Sequence, residues 1–524
     1  MKYSHFFRSI QIILIVSLIA SCSTAQTNKK SLSPNVVIIL TDDLDFNLIP
    51  YMEKTKSLIG DQGSTLTNYF ITTPICCPSR SSMLRGQYGH NTDILDNSPA
   101  FIRFFKKGEE KETLATWLTT AGYQTSLIGK YLNLYPTNAG KNYVPPGWTD
   151  WHAFLYQKAE NGGDFYYNYT MNENGALVQY GNTPNEYSTD VIKNKALDFL
   201  NKNKSGTQPF FLYLPVYGPH GPSTPAPRHT DLFTTLEYPQ KPSFGETDLS
   251  DKTDVIRTFA SSGDEFDAGD ANNLFRERVQ TVQAVDELVN DVINTLEKNG
   301  QLDNTYIIFT SDNGFHMGEH NFPSGKGTPY EEDIHVPFMI RGPGITPGSQ
   351  VTQMIANIDV APTIADMAGA STADFIDGRS FLSLLHPEAG PSIKWRKSLL
   401  IEMGYTNSPA SSLIQNVSLN EDTANISPSM TEYPDVGQRV PLTLIDGGSN
   451  RAVRTENFIY IEYEDGEVEY YDLIADPYQL NNIAPTLDAD TLTTLHDWLA
   501  KLETCTAENC RVLEETIPAT LQGK

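Results

Sequence analysis

Four segments share one pattern of hydrophobic and polar positions: a short apolar run that stops at a polar residue. Val36-Val37-Ile38-Ile39-Leu40 runs into Thr41-Asp42-Asp43, and Tyr123-Gln124-Thr125-Ser126-Leu127-Ile128 runs into Gly129-Lys130. Phe210-Phe211-Leu212-Tyr213-Leu214 leads through Pro215-Val216-Tyr217 to Gly218-Pro219-His220, and Tyr306-Ile307-Ile308-Phe309-Thr310 leads to Ser311-Asp312-Asn313-Gly314. Runs without alternation suit strands buried on both faces, as in a largely parallel sheet. Helical spacing separates them: residues 112–121 halt at Gly122, residues 190–200 follow, and residues 275–296 are amphipathic up to Gly300. The reading is an α/β domain with a central, mostly parallel sheet. Ligands of such sheets bind beyond the carboxyl ends of the strands. Asp42, Asp43, Lys130, His220, Asp312 and Asn313 are therefore predicted to converge on one crevice.

The pattern changes near residue 390. Residues 451–463 and 467–473 alternate and are rich in Tyr, Glu and Val, which predicts antiparallel strands, followed by a helix over 492–502. Residues 225–272, rich in Pro, Ser, Thr and Asp, read as a long surface excursion reaching toward the crevice. The expected organisation is a signal peptide (1–21), a polar tether (22–33), a catalytic domain (34–390) and a C-terminal antiparallel-sheet subdomain (391–524).

Composition narrows the function classes. Lys2 and Arg8 precede an apolar stretch from Ile10 to Ile19 that is too short for a stable membrane anchor and reads as an export signal. Leu18-Ile19-Ala20-Ser21-Cys22 resembles a bacterial lipobox, in which Cys22 is acylated and anchors the chain to a membrane; the alternative is ordinary cleavage near Ala25. The expected location is the periplasm or the outer-membrane surface. Cys505 and Cys510 are spaced for a small disulfide, which suits an oxidising compartment. A net charge of −26 without a basic stripe excludes nucleic acid as a partner.

Three carboxylates, Asp42, Asp43 and Asp312, brought together without a cation would be costly. Oxygen ligands favour a hard ion, Ca²⁺ or Mg²⁺, over zinc. Asp45 reads as a solvated turn residue. Between the first two strands lies Cys76-Cys77-Pro78-Ser79-Arg80, with Pro78 suited to open a helix and Cys76 just ahead of its N-terminus, where an oxyanion is attracted.

The stretch TTPICCPSRSSMLRGQYGHN, residues 72–91, resembles the type I sulfatases, above all the branch of glucosamine-6-sulfatases and extracellular heparan sulfate endosulfatases. Further similar motifs are TDDLD (41–45), GKYLN (129–133), PPGWTDW (145–151), PHGP (219–222), SDNGFH (311–316), VPFMIRGPGI (336–345) and YDLIADPYQLNNIA (471–484). The resemblance covers most of the chain past its N-terminal segment. It implies an alkaline-phosphatase-like fold and hydrolysis of sulfate esters on a sulfated saccharide. It also implies that a formylglycine-generating maturation enzyme converts Cys76 to formylglycine, and that one Ca²⁺ is held by Asp42, Asp43, residue 76, Asp312 and Asn313.

Arg80, Lys130 and Lys326 would stabilise charge on sulfate, and His220 is the candidate acid for the departing sugar oxygen. Many members carry His two residues after the Lys of the GK motif; here Leu132 occupies that position, leaving His316 as a candidate base or substrate contact. His90 reads as structural, and His152 and His320 have no assigned role. The expected substrate is either an algal polysaccharide such as ulvan or 6-sulfated N-acetylglucosamine of glycosaminoglycans. Two alternatives stand beside this reading: a phosphodiesterase or phosphonate monoesterase of the same fold, and a catalytically silent polysaccharide-binding lipoprotein.

Overall fold

The apolar runs form the middle of a ten-stranded mixed sheet in a computed structural model that describes residues 33–156, 165–262, 266–386, 394–404 and 448–521. The expected signal peptide, Cys22 and most of the expected tether lie outside the described residues. In spatial order the strands are Ser349–Val351, Ser64–Leu66, Phe338–Arg341, Thr305–Ser311, Asn35–Asp42, Phe210–Pro219, Gln124–Gly129, Asp150–Phe154, Thr170–Glu173 and Ala176–Gln179. The five from Thr305–Ser311 to Asp150–Phe154 are mutually parallel, so their carboxyl ends share one edge. Both flanks turn antiparallel at Phe338–Arg341 and Thr170–Glu173.

Burial on both faces explains the unbroken apolar runs. Val36, Ile38 and Leu40 point into one core with Leu118 and Ile364 of the helices Leu114–Thr120 and Val360–Ala368. Val37 and Ile39 point into the opposite core with Ile192 and Val285 of the helices Ser188–Lys202 and Ala268–Lys298. The last helix begins seven residues before the predicted 275, because Asp267 caps it by accepting from the backbone N–H groups of Gly269 and Asp270. The signature helix Cys76–Arg85 begins at Cys76 itself rather than after it, and ends at Gly86 in the left-handed region at φ 68°.

The C-terminal region forms a separate four-stranded antiparallel sheet, Ser398–Met403, Asn450–Thr455, Phe458–Tyr463 and Val468–Asp472, followed by the helix Ala489–Leu502. Residues 451–463 supply two of these antiparallel strands as a hairpin. The surface excursion holds only in part. Its helix Asp254–Ala260 buries Val255, Ile256 and Phe259 against the C-terminal core, and the buried Lys252 ammonium donates to Tyr471 Oη and the Gln479 carbonyl. An apolar stripe short enough to vanish in a polar composition docks this segment.

His90 ties the segment after the signature helix to the chain's end. Its Nε2 donates to the Cys505 carbonyl at 2.9 Å, and Nδ1 lies 3.0 Å from the Glu402 carboxylate. Burial opposes the charged ring, but Glu402 outweighs it and raises His90 to about 9. A raised folded-state value means that this stability is full below about pH 6.5 and lost as pH rises through 9, on the order of 3 kcal/mol at most. The melting midpoint of the wild type should therefore fall more steeply between pH 7 and 9.5 than that of His90→Gln. Parallel curves would show that the pair does not titrate with folding.

Candidate active site

The strand grammar places its polar residues together because the parallel strands end on the same edge. Asp42 closes its own strand, Lys130 follows Gln124–Gly129, His220 follows Phe210–Pro219, and Asp312 and Asn313 follow Thr305–Ser311. Gly129 is required at its position: φ is 138°, and a Cβ there would lie 2.1 Å from the Pro215 carbonyl oxygen. That close approach lets Lys130 turn into the site, where its Nζ reaches Asp42 Oδ2 at 2.5 Å.

Cys76 lies at the centre, 1% exposed. Its Sγ accepts from Lys326 Nζ at 2.9 Å and donates to Asp42 Oδ1 at 3.3 Å. Lys326 also donates to Asp43 Oδ1 at 2.5 Å. Arg80, one turn along the helix from Cys76, bonds Asp312 Oδ2 through Nε at 2.7 Å and Asp42 Oδ2 through Nη2 at 3.1 Å. The three carboxylates are thus matched by Arg80, Lys130 and Lys326 without any added ion. Burial opposes ionisation of Asp42, yet Lys130 and Arg80 hold it well below the usual carboxylate range. Lys326 likewise lowers Asp43 against burial. Burial and then Asp42 push the Cys76 thiol up, so it is a poor thiolate nucleophile as it stands.

The arrangement fits a hard cation on separate grounds. Asn313 donates through Nδ2 to Asp43 Oδ1 at 2.7 Å, while its Oδ1 is buried with no hydrogen-bond partner. Ligand atoms of Asp42, Asp43, Cys76 and His220 all lie within 4.8 Å of one another. An orphaned carbonyl oxygen beside two carboxylates is a donor set suited to Ca²⁺. The cluster is not purely oxygen, because His220 Nε2 stands 3.7 Å from Asp43 Oδ2. His220 Nδ1 donates to the Gly221 carbonyl at 2.8 Å, so a proton given or taken by this ring in the site moves at Nε2.

His316 lies beside the loop that carries Lys326: its backbone N–H and C=O bond Gly325 at 2.9 and 3.0 Å. Its Nδ1 faces both oxygens of Asp333 at 2.9 and 3.0 Å, and Nε2 is buried without a hydrogen-bond partner. Asp333 also accepts from the Thr328 N–H and hydroxyl, closing the loop on both sides of Lys326. Leu132 packs in the hydrophobic core, so no base stands at that position. Asp45, read as solvated, is instead 4% exposed and accepts from Asn47 N and from Arg278. Neither Asp333 nor Arg278 stands out in sequence, since each is a single charge away from the strand-end motifs. His90 bonds Glu402, His152 lies near Asp150, and His320 faces Glu246. Cys505 and Cys510 are joined as a disulfide.

Residues 34–370 match the family described as Sulfatase. The chain is 38% identical over 502 residues to N-acetylglucosamine-6-sulfatase of Capra hircus, covering 92% of this chain and 86% of that protein. A protein solved in complex with its substrate D-glucosamine-2-N,6-O-disulfate superposes with a TM-score of 0.71 at 25% identity, over 90% of this chain and 97% of that one. The phosphonate monoester hydrolase of Agrobacterium radiobacter shares the fold, with a TM-score of 0.64 at 20% identity over 90% and 94% of the two chains.

Proposed function

The chain belongs to the sulfatase family and is a sulfuric ester hydrolase, and on that premise we propose that it removes the 6-O-sulfate of N-acetylglucosamine units in a sulfated saccharide. The observation that carries this reading is identity across nearly the whole length of a relative named for that bond, C-terminal region included. The solved neighbour bound to a 6-O-sulfated glucosamine supports the same sugar over an algal polysaccharide such as ulvan. The phosphonate hydrolase likeness carries the fold alone.

In this reading a maturation enzyme converts Cys76 to formylglycine, whose hydrate supplies a hydroxyl nucleophile where Sγ now stands. A Ca²⁺ held by Asp42, Asp43, residue 76, Asp312 and Asn313 would supply a positive centre that polarises the sulfate oxygens. Lys326 holds the nucleophilic position through its 2.9 Å contact and, with Lys130 and Arg80, offsets charge gathering on the sulfate. His220 Nε2 gives the proton that the sugar oxygen needs as its bond to sulfur breaks. His316, oriented by Asp333, is the candidate to contact substrate or receive a proton.

Export with a lipid on Cys22 completes the proposal, supported by the Ala20-Ser21-Cys22 context and the Cys505–Cys510 disulfide. The test uses enzyme extracted from membranes by detergent, with Cys22→Ser expected in the soluble fraction. It should desulfate N-acetylglucosamine-6-sulfate, leave a bis-aryl phosphate largely untouched, lose activity on chelation and regain it with Ca²⁺. Preference for the phosphate diester, or recovery with zinc alone, would overturn the reading.

A further inference from the structure

The long helix Ala268–Lys298 sends one guanidinium to the rear of the active site. Arg278 is fully buried, and its Nη2 donates to the Asp43 backbone carbonyl at 2.5 Å and to Asp45 Oδ2 at 2.9 Å. Its guanidinium carbon lies 4.1 Å above the centre of the Phe315 ring. One side chain therefore touches both halves of the site, residues 43–45 and the loop after Asn313. Its Nε and Nη1 are buried without hydrogen-bond partners, which is costly for a charged group, so the position calls for a purpose.

The purpose lies in the backbone of Asp43. Its φ is 65°, in the left-handed region that costs a non-glycine residue on the order of 1–2 kcal/mol. The neighbouring ladder is irregular here, with the register to Phe210–Pro219 shifting between Leu40 and Asp42. That turn is what directs the Asp43 carboxylate toward Lys326, Asn313 and His220 instead of continuing the strand. The Asp43 N–H is held by Asp312 Oδ1 at 3.2 Å, and Arg278 holds the carbonyl on the other side of the same residue.

We infer that Arg278 is a positioning residue for the cation site: by gripping the Asp43 carbonyl and Asp45 it keeps Asp43 in the left-handed conformation that presents its carboxylate. The inference rests on the Ca²⁺ reading above. A lysine there keeps the charge but lacks the planar guanidinium that stacks on Phe315 while its Nη2 donates to both oxygens.

The experiment is calorimetric titration of the full chain with Ca²⁺ after chelation, beside melting in chelator and steady-state kinetics. Arg278→Lys should raise the Ca²⁺ Kd about 10–100-fold, lower kcat, and leave KM within about threefold. Arg396→Lys serves as the control, because Arg396 is equally buried but bonds Asp359 and Glu514 away from the site. It should lower the melting midpoint and leave Ca²⁺ affinity unchanged. If Arg278→Lys does not fold, Arg278→Gln, which keeps an amide donor for the Asp43 carbonyl, takes its place with the same expectation. Wild-type Ca²⁺ affinity in a folded Arg278 variant overturns this inference alone. A wild type that binds no Ca²⁺ overturns both the inference and the metal reading.

Discussion

Cys76→Ala should abolish sulfate release from aryl and sugar sulfates alike, by about 10⁴-fold or more, in a chain that still folds. The structural cost is small. Only one sulfur is removed from the start of a helix, at a contact with Lys326 and Asp42 rather than in an apolar core. The chemical cost is complete, because residue 76 is the atom position around which Lys326, Asp42 and Arg80 are arranged. An unmodified thiol kept protonated by burial and by Asp42 has little nucleophilic character of its own. The peptide containing residue 76 in active wild-type enzyme should accordingly carry an aldehyde, captured by a hydrazide reagent. Full activity in the alanine variant would falsify the covalent mechanism, and a free thiol in fully active enzyme would remove formylglycine from it.

His220→Ala should separate the two substrate classes. A sugar alkoxide is a poor leaving group and needs a proton, whereas an activated phenolate departs with little help. Hydrolysis of a sugar sulfate should drop ~10²–10⁴-fold, and an activated aryl sulfate far less. The geometry behind this expectation is the commitment of Nδ1 to the Gly221 carbonyl, which leaves Nε2 facing the site. Lys326→Ala should slow both classes to a similar degree, since in the proposed mechanism it serves the nucleophile and sulfate common to them. Equal losses in His220→Ala would transfer the acid role to His316, whose Nε2 is buried without a hydrogen-bond partner.

The sheet and its polar edge were legible because burial on both faces leaves an apolar run that few other settings produce. Val36–Leu40 carries that imprint directly, and its strand neighbours repeat it. The convergence of Asp42, Lys130, His220 and Asp312 followed from parallel pairing alone. What lay hidden depends on single long-range contacts. Arg278 reads as one charge on an amphipathic helix until it meets Asp43, more than 200 positions earlier in the chain. Asp45 looks like a solvated turn residue until the same guanidinium covers it. Asp333 follows two glutamates and resembles a helix-start acid until His316 and Thr328 close on it. The excursion helix Asp254–Ala260 was concealed by composition, which averages away three apolar residues on one short face.

Burial of Cys76 sets a timetable for the chain's own birth. At 1% exposure the side chain offers no purchase to another enzyme, so the proposed conversion belongs to the interval before folding is finished. Contacts made by residues far later in the sequence help to end that interval. The Cys505 carbonyl and Glu402 receive His90, and Glu514 receives Tyr88, so the C-terminal segment fastens the stretch that follows the signature helix. A nascent chain that has not yet reached Cys505 and Glu514 lacks those two contacts.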